Sequence, residues 1–208
     1  MNEPASQPES VQPQPSEMIR GFIALNLPAE VSDAMQRLQT QLKTLCPKGL
    51  VRWTPAQQVH LTLRFLGDIA RESVTEIEDA LRRACEDVAP FEVLTGGLGC
   101  FPDLKRPCVV WLALEGDRIA LTSLQARIAA ATAAWGEIER REFRPHLTIG
   151  RVGKGSVVEL RRLGEAIRVH PIPPPSRWRV IQVEFMRSEL HPHGARHTRL
   201  AIVGLAGG

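Results

Sequence analysis

The chain reads as an α+β protein with largely antiparallel sheet, arranged as two similar lobes. Three observations predict this. Period-2 strand patterns and period-3.6 helix patterns are interspersed, in the order strand–helix–strand–strand–helix, then strand–strand–helix–strand–helix–strand–strand. One short motif occurs twice, once in each half. With 208 residues, 43% of them hydrophobic, the chain is long enough for a full core.

The elements follow in order. Arg20–Leu27 (RGFIALNL) predicts a first strand, and Pro28 suits the opening of a helix. Val31, Met35, Leu38, Leu42 and Leu45 recur at helical spacing until Pro47-Lys48-Gly49 breaks the run. Leu50–Trp53 is a short strand, and Val59–Leu66 is a longer one that Gly67-Asp68 should end. Val74, Ile77, Leu81, Ala84 and Val88 mark a second helix. Phe91–Phe101 and Cys108–Leu114 form a strand pair. An Ala-rich helix runs from about Asp117 to Ala134, followed by a strand over Phe143–Val152. A short helix near Val157–Ile167 and a stiff connector at Pro171–Pro175 lead to final strands at Trp178–Ser188 and His197–Val203.

The first seventeen residues are rich in Pro, Gln, Ser and Glu, without Lys, Arg or an apolar stretch. They predict a disordered tail, not a signal peptide, leaving 18–208 as a single bilobal domain. Removing that tail and its three Glu leaves 26 basic against 20 acidic residues. Of the 26, 22 are Arg, whose planar fork suits phosphate oxygens, although a solvated Arg-biased surface explains the composition equally well. The excess is too small to identify a nucleic-acid binder by itself. No apolar run approaches a membrane span. Cys46, Cys85, Cys100 and Cys108 form no CxxC pair and read as thiols of a reducing cytoplasm.

The repeated motif is His60-Leu61-Thr62-Leu63 and His146-Leu147-Thr148-Ile149. By composition, His-apolar-Thr-apolar should arise roughly 0.05 times by chance, so two copies are informative. Residues i and i+2 of a strand share a face, so each copy aims one imidazole and one hydroxyl into the same space. Two His and two Thr suffice for metal-free acid–base chemistry on a phosphodiester. One imidazole serves as base, the other as acid, and the hydroxyls hold non-bridging oxygens. A zinc site is the competing reading, but no third ligand stands at metal-like spacing and Thr is a poor zinc ligand. The expectation is therefore no metal and no cofactor.

The same strand geometry bears on the neighbouring residues. Arg64 and Arg144 lie at even offsets from their histidines, on the motif face. Arg151 lies at an odd offset and would need a bulge near Gly150 to reach the site. Phe65, also at an odd offset, should point into the core. Trp53 could stack on a base or pack in the core. His191, His193 and His197 fall in a Pro/Gly-containing turn that could rim the substrate groove or bind metal adventitiously.

The chain resembles the two-histidine phosphoesterases, specifically the RNA 2′,3′-cyclic phosphodiesterases long called 2′-5′ RNA ligases. The resemblance spans about residues 19–205. It rests on RGFIALNLP at 20–28, Arg52-Trp53, HLTLRFLG at 60–67, Arg144-Pro145-His146-Leu147-Thr148-Ile149, Arg151, and the Ser188, Leu190, Pro192, Gly194 pattern. His197 stands where many relatives have Tyr, and this chain has no Tyr. The resemblance implies the bilobal two-histidine phosphoesterase fold with a central cleft. It also implies hydrolysis of RNA 2′,3′-cyclic phosphate ends, or of small cyclic nucleotides, to 2′-phosphomonoesters. His60 and His146 would be catalytic, as proton donor and acceptor respectively, and Thr62, Thr148 and Arg151 would bind substrate. A cytoplasmic monomer is expected. The alternatives are 2′-5′ ligation by the reverse reaction, a nucleotide- or RNA-binding module with little catalysis, and a different cyclic phosphate or 2′-5′ oligonucleotide substrate.

Overall fold

The computed structural model describes residues 17–136, 141–191 and 194–206. Residues 1–16 of the expected tail and His193 lie outside the described residues. Glu17 does not behave as tail: its carboxylate pairs with Arg71 (3.0 Å) and Arg187 (3.6 Å).

The elements, in chain order, are β1 (Met18–Asn26), α1 (Ala29–Leu45), β2 (Val51–Trp53), β3 (His60–Ala70), α2 (Val74–Cys85), β4 (Phe91–Phe101), β5 (Val109–Gly116), α3 (Arg118–Ala131), β6 (His146–Val152), α4 (Val157–Val169), β7 (Arg177–Val180), β8 (Gln182–His191) and β9 (Gly194–Gly204). Two antiparallel sheets result, with strand orders β3-β1-β8-β9 and β2-β6-β5-β4-β7. The α+β expectation holds.

Each helix buries one stripe. Val31, Met35, Leu38 and Leu42 of α1, Ile77 and Leu81 of α2, Leu121, Leu124 and Ile128 of α3, and Leu163 and Ile167 of α4 meet the inward faces of both sheets in one core. Asp117 starts α3 by accepting from the Ala120 N–H, and Ser156 with Glu159 forms a capping box on α4.

Two strand expectations are corrected. Gly67-Asp68 does not end β3, because Gly67 adopts φ +70° at an irregular step and pairing continues to Ala70. The run Trp178–Ser188 is not one strand. The chain leaves the five-stranded sheet after Val180, turns at Ile181, and enters the four-stranded sheet at Gln182. The buried apolar positions change phase at that point, from Trp178 and Val180 to Val183 and Phe185.

Topology places the two motifs side by side. β3 is an edge strand of its sheet. β6 is covered by β2 only over Gly150–Val152, so its motif half is open on that side. β3 and β6 lie against each other there.

Candidate active site

His60 and His146 are the first residues of their strands. Each ring is anchored identically. His60 Nδ1 lies 2.8 Å from the Gln58 carbonyl, and His146 Nδ1 lies 2.7 Å from the Arg144 carbonyl. A carbonyl only accepts, so Nδ1 carries the proton in both rings. Nε2 is left as the reactive nitrogen of each. His60 rests on the Phe22 ring (4.9 Å) and His146 meets the Phe101 ring edge-on (5.0 Å). Thr62 and Thr148 are half-buried. Neither hydroxyl has a hydrogen-bond partner among the described residues, which leaves both available to an anion.

Beyond each Thr, both strands carry one extra residue. In β3 the register moves from Ala24↔Thr62 to Ile23↔Arg64. In β6 it moves from Trp111↔Thr148 to Val110↔Gly150. These bulges invert the side-chain alternation that follows. Each is clamped by a glutamine from a helix. Gln39 of α1 donates to the Ile149 carbonyl (2.9 Å) and to the Thr54 carbonyl (2.7 Å). Gln125 of α3 donates to the Leu63 carbonyl (3.3 Å).

The bulges decide which side chains reach the site. Arg151 faces it, as the odd offset plus a bulge required: it pairs with Val109, two residues along β5 from Trp111 and on the same face. Arg52 of β2 stands directly opposite Arg151. Two cations so placed repel unless an anion joins them. Gly150 permits the geometry, because a Cβ there would stand 2.7 Å from Val51 Cγ1.

Two expectations, for Arg64 and Phe65, fail for the same reason. Arg64 is not on the motif face. It is buried, 7% exposed, and donates to the Trp135 (3.1 Å) and Thr132 (3.4 Å) carbonyls at the end of α3. Phe65 is not core: it is 59% exposed, on the face of His60, with its ring 6.0 Å from Phe22. Arg144 offers its carbonyl to His146 while its side chain pairs with Glu142 (3.5 Å). Trp53 takes the packing option, lying over Gly150 against the core.

The histidine turn separates into different environments. His191 is exposed. His197 reaches the site, its ring edge-on to His60 at 5.2 Å and to Phe22 at 5.0 Å. Its Nδ1 is buried without a partner, so a charged ring would bury an unsatisfied N–H there. Burial lowers its pKa accordingly.

His60 is held well below an ordinary histidine, at about 4. Desolvation is the main cause, and the charges of His197 and Arg151 push the same way. The bond to Gln58 opposes them. Arg151 of the second lobe therefore acts directly on the histidine of the first.

Sequence reading missed Asn26, Glu184 and Arg199. Asn26 stands opposite His60 across β1 and donates to the buried Glu184 carboxylate (2.7 Å), which also holds Arg199 Nε (2.5 Å). Strands remote in sequence assemble this network, and no local pattern signals it. Among the described residues, no three His, Cys, Asp or Glu are gathered as a metal site. No helix among the described residues is long and apolar enough to cross a membrane.

A family profile described as the 2′-5′ RNA ligase superfamily matches residues 27–192. The chain belongs to that superfamily. It is 30% identical over 191 residues to the RNA 2′,3′-cyclic phosphodiesterase of Methanothermobacter thermautotrophicus, covering 90% of this chain and 99% of that one. It is 31% identical over 199 residues to the protein of the same name from Thermus thermophilus, covering 91% of each. The crystal structure of TT0787 from T. thermophilus superposes with a TM-score of 0.73 at 28% identity, over 91% of this chain and 99% of that one. E. coli LigT in its apo form shares the fold, with a TM-score of 0.71 at 24% identity over 92% and 99% of the two chains.

Proposed function

We propose that this chain is an RNA 2′,3′-cyclic phosphodiesterase, hydrolysing RNA cyclic phosphate ends or small cyclic nucleotides to 2′-phosphomonoesters by paired-histidine acid–base catalysis. The observation that carries the mechanism is the identical tautomer lock on His60 and His146. It leaves one free Nε2 on each sheet, and strand alternation supports Thr62 and Thr148 sharing the faces of their histidines. Sequence relatives that bear the name support the substrate.

In this reading His146 Nε2 takes a proton from the attacking water. The new P–O bond forms as the P–O3′ bond breaks, and His60 Nε2–H passes its proton to O3′. His60 is neutral in the free protein near pH 7, so it takes up a proton from solvent as the substrate anion binds. A phosphate anion against it supplies the opposite charge that raises its proton affinity. Thr62, Thr148 and Arg151 hold the non-bridging oxygens. The same displacement, with an RNA 5′-hydroxyl in place of water, forms a 2′-5′ phosphodiester and is 2′-5′ ligation.

The reading takes residues 18–208 as one bilobal unit acting as a cytoplasmic monomer. The free thiols of Cys46, Cys85, Cys100 and Cys108 accord with a reducing compartment.

The test is a product analysis. RNA ending in a 2′,3′-cyclic phosphate is incubated with the protein in excess chelator, and the ends are resolved. A 2′-phosphate is expected. A 3′-phosphate would refute the assigned leaving group, and loss of activity on chelation would refute the metal-independent mechanism. Tight RNA binding without turnover would establish a binding module instead.

A further inference from the structure

Glu184 is the one buried carboxylate among the described residues, 4% exposed. It lies on the face that carries the first motif. Thr62 pairs with Ala24 across β3 and β1, and Ala24 pairs with Glu184 across β1 and β8. Directly paired residues share a face, so these three form one row. Thr62 and Glu184 are two strand spacings apart, roughly 10 Å. The adjacent row runs Phe22, Met186, Arg199, which puts Arg199 of β9 on the same face.

The carboxylate gathers three partners. Asn26 donates to Oε2 at 2.7 Å, and Arg199 Nε lies 2.5 Å from the same oxygen. Gln182 donates to Oε1 at 3.3 Å. Asn26 is itself the β1 partner of His60. A buried carboxylate is costly, and an ion pair serving stability alone gains most from the two parallel bonds of the guanidinium fork. This pair runs through Nε instead. Neither terminal nitrogen of Arg199 makes a hydrogen bond among the described residues, and its side chain is 53% exposed. Glu184 therefore fixes where the guanidinium sits and leaves its donor edge open.

We infer that Arg199 is a second phosphate arm, binding the phosphate on the 5′ side of the nucleoside that bears the cyclic phosphate. Glu184 is its positioning residue. This rests on the cyclic phosphodiesterase reading and names the substrate class as the end of an RNA chain rather than a free nucleotide. Arg151 and Arg52 stand on the five-stranded sheet, and Arg199 stands on the four-stranded sheet with His60. His60 protonates O3′ in that reading, so the ribose lies on its side and the chain leaves along its sheet. The open fork matches two non-bridging oxygens of the next phosphate. A free cyclic nucleotide has no such phosphate and gains nothing from Arg199.

The test compares adenosine 2′,3′-cyclic phosphate with a tetra-adenylate ending in a 2′,3′-cyclic phosphate. A third substrate is the same tetra-adenylate with an uncharged methylphosphonate at the linkage next to the cyclic end. Selectivity is the ratio of kcat/KM for the oligonucleotide to that for the mononucleotide, and thermal melts confirm folding. Wild type should favour the oligonucleotide by about tenfold, and Arg199→Gln should bring the ratio toward one. Arg199→Lys keeps an ion pair with Glu184 but lacks the fork, and should lower the ratio as well. The double variant Glu184→Gln, Arg199→Gln removes the unpaired buried charge, so it stays folded and should match Arg199→Gln. The methylphosphonate should cost wild type what Arg199→Gln costs, and cost that variant nothing further. A wild-type ratio near one overturns the arm. So does an unchanged ratio in Arg199→Lys or the double variant, or an equal loss on both substrates. A methylphosphonate penalty that persists in full without Arg199 overturns it too. Wild-type protein inert on every cyclic phosphate overturns the phosphodiesterase reading itself.

Discussion

Phe65 and Arg151 hold the same position in two copies of one device. Each is the fifth residue after a motif histidine, and each is turned to the site by one extra residue in its strand. The device is completed by a glutamine clamp, Gln125 on the Leu63 carbonyl and Gln39 on the Ile149 carbonyl.

The clamps should matter unequally. Gln39 is 3% exposed and donates to two carbonyls at 2.7 and 2.9 Å, whereas Gln125 makes one longer bond at 3.3 Å. Gln39→Leu should cost about 1–3 kcal/mol of stability, and Gln125→Leu less. Chemical denaturation midpoints would show the order. Gln39→Leu should also raise KM, because it loosens the turn that presents Arg151.

Replacing either histidine with Ala should lower kcat by about 10²–10⁴-fold while circular dichroism stays native. The double variant should lose less than the product of the two factors, because the two groups act as a unit. Single-turnover rates measure this. A variant near the wild-type rate would remove that residue from the mechanism.

The depressed His60 pKa gives a signed pH dependence. Near pH 7 this ring is neutral in folded and unfolded chains alike. Between about 6.5 and 4 the unfolded chain binds the proton and the folded one does not. Stability from this group is therefore complete above pH 6.5 and falls toward pH 4, by on the order of 3 kcal/mol. His60→Gln should flatten that part of the stability profile. NMR titration of the free protein should place His60 near 4, and saturating inorganic phosphate should raise it.

Arg151→Gln should act in two ways. Losing a charge-assisted bond to phosphate should reduce kcat/KM by about 10–100-fold. Removing a cation that pushes down His60 should raise its titration midpoint. Arg52→Gln should have the weaker effect on His60, since it is not among the groups that shift it. Paired kinetic and NMR measurements separate the two arginines.

Much of this architecture is legible in the amino-acid sequence. The helices follow from apolar stripes at Val31–Leu42 and Ile77–Leu81, and the centre of the site from the paired His-x-Thr spacing. Arg151 is legible conditionally, through Gly150 and the need for a bulge. Arg64 and Phe65 are not, because the matching bulge in β3 has no glycine beside Thr62 to announce it. The sheet crossing at Ile181 shows in the sequence only as a change of phase, from Trp178 and Val180 to Val183 and Phe185, which pattern alone reads equally well as a bulge.

The sequence by itself determined the chemistry: two imidazoles, each with a hydroxyl on the same face, since strand alternation is a local property of the backbone. Only the tertiary structure decided the equipment around them. Register shifts depend on hydrogen bonds between strands and on glutamines from separate helices. These contacts turned Phe65 and Arg151 toward the site, drew Arg64 into the core, and brought His197 and Asn26 beside His60.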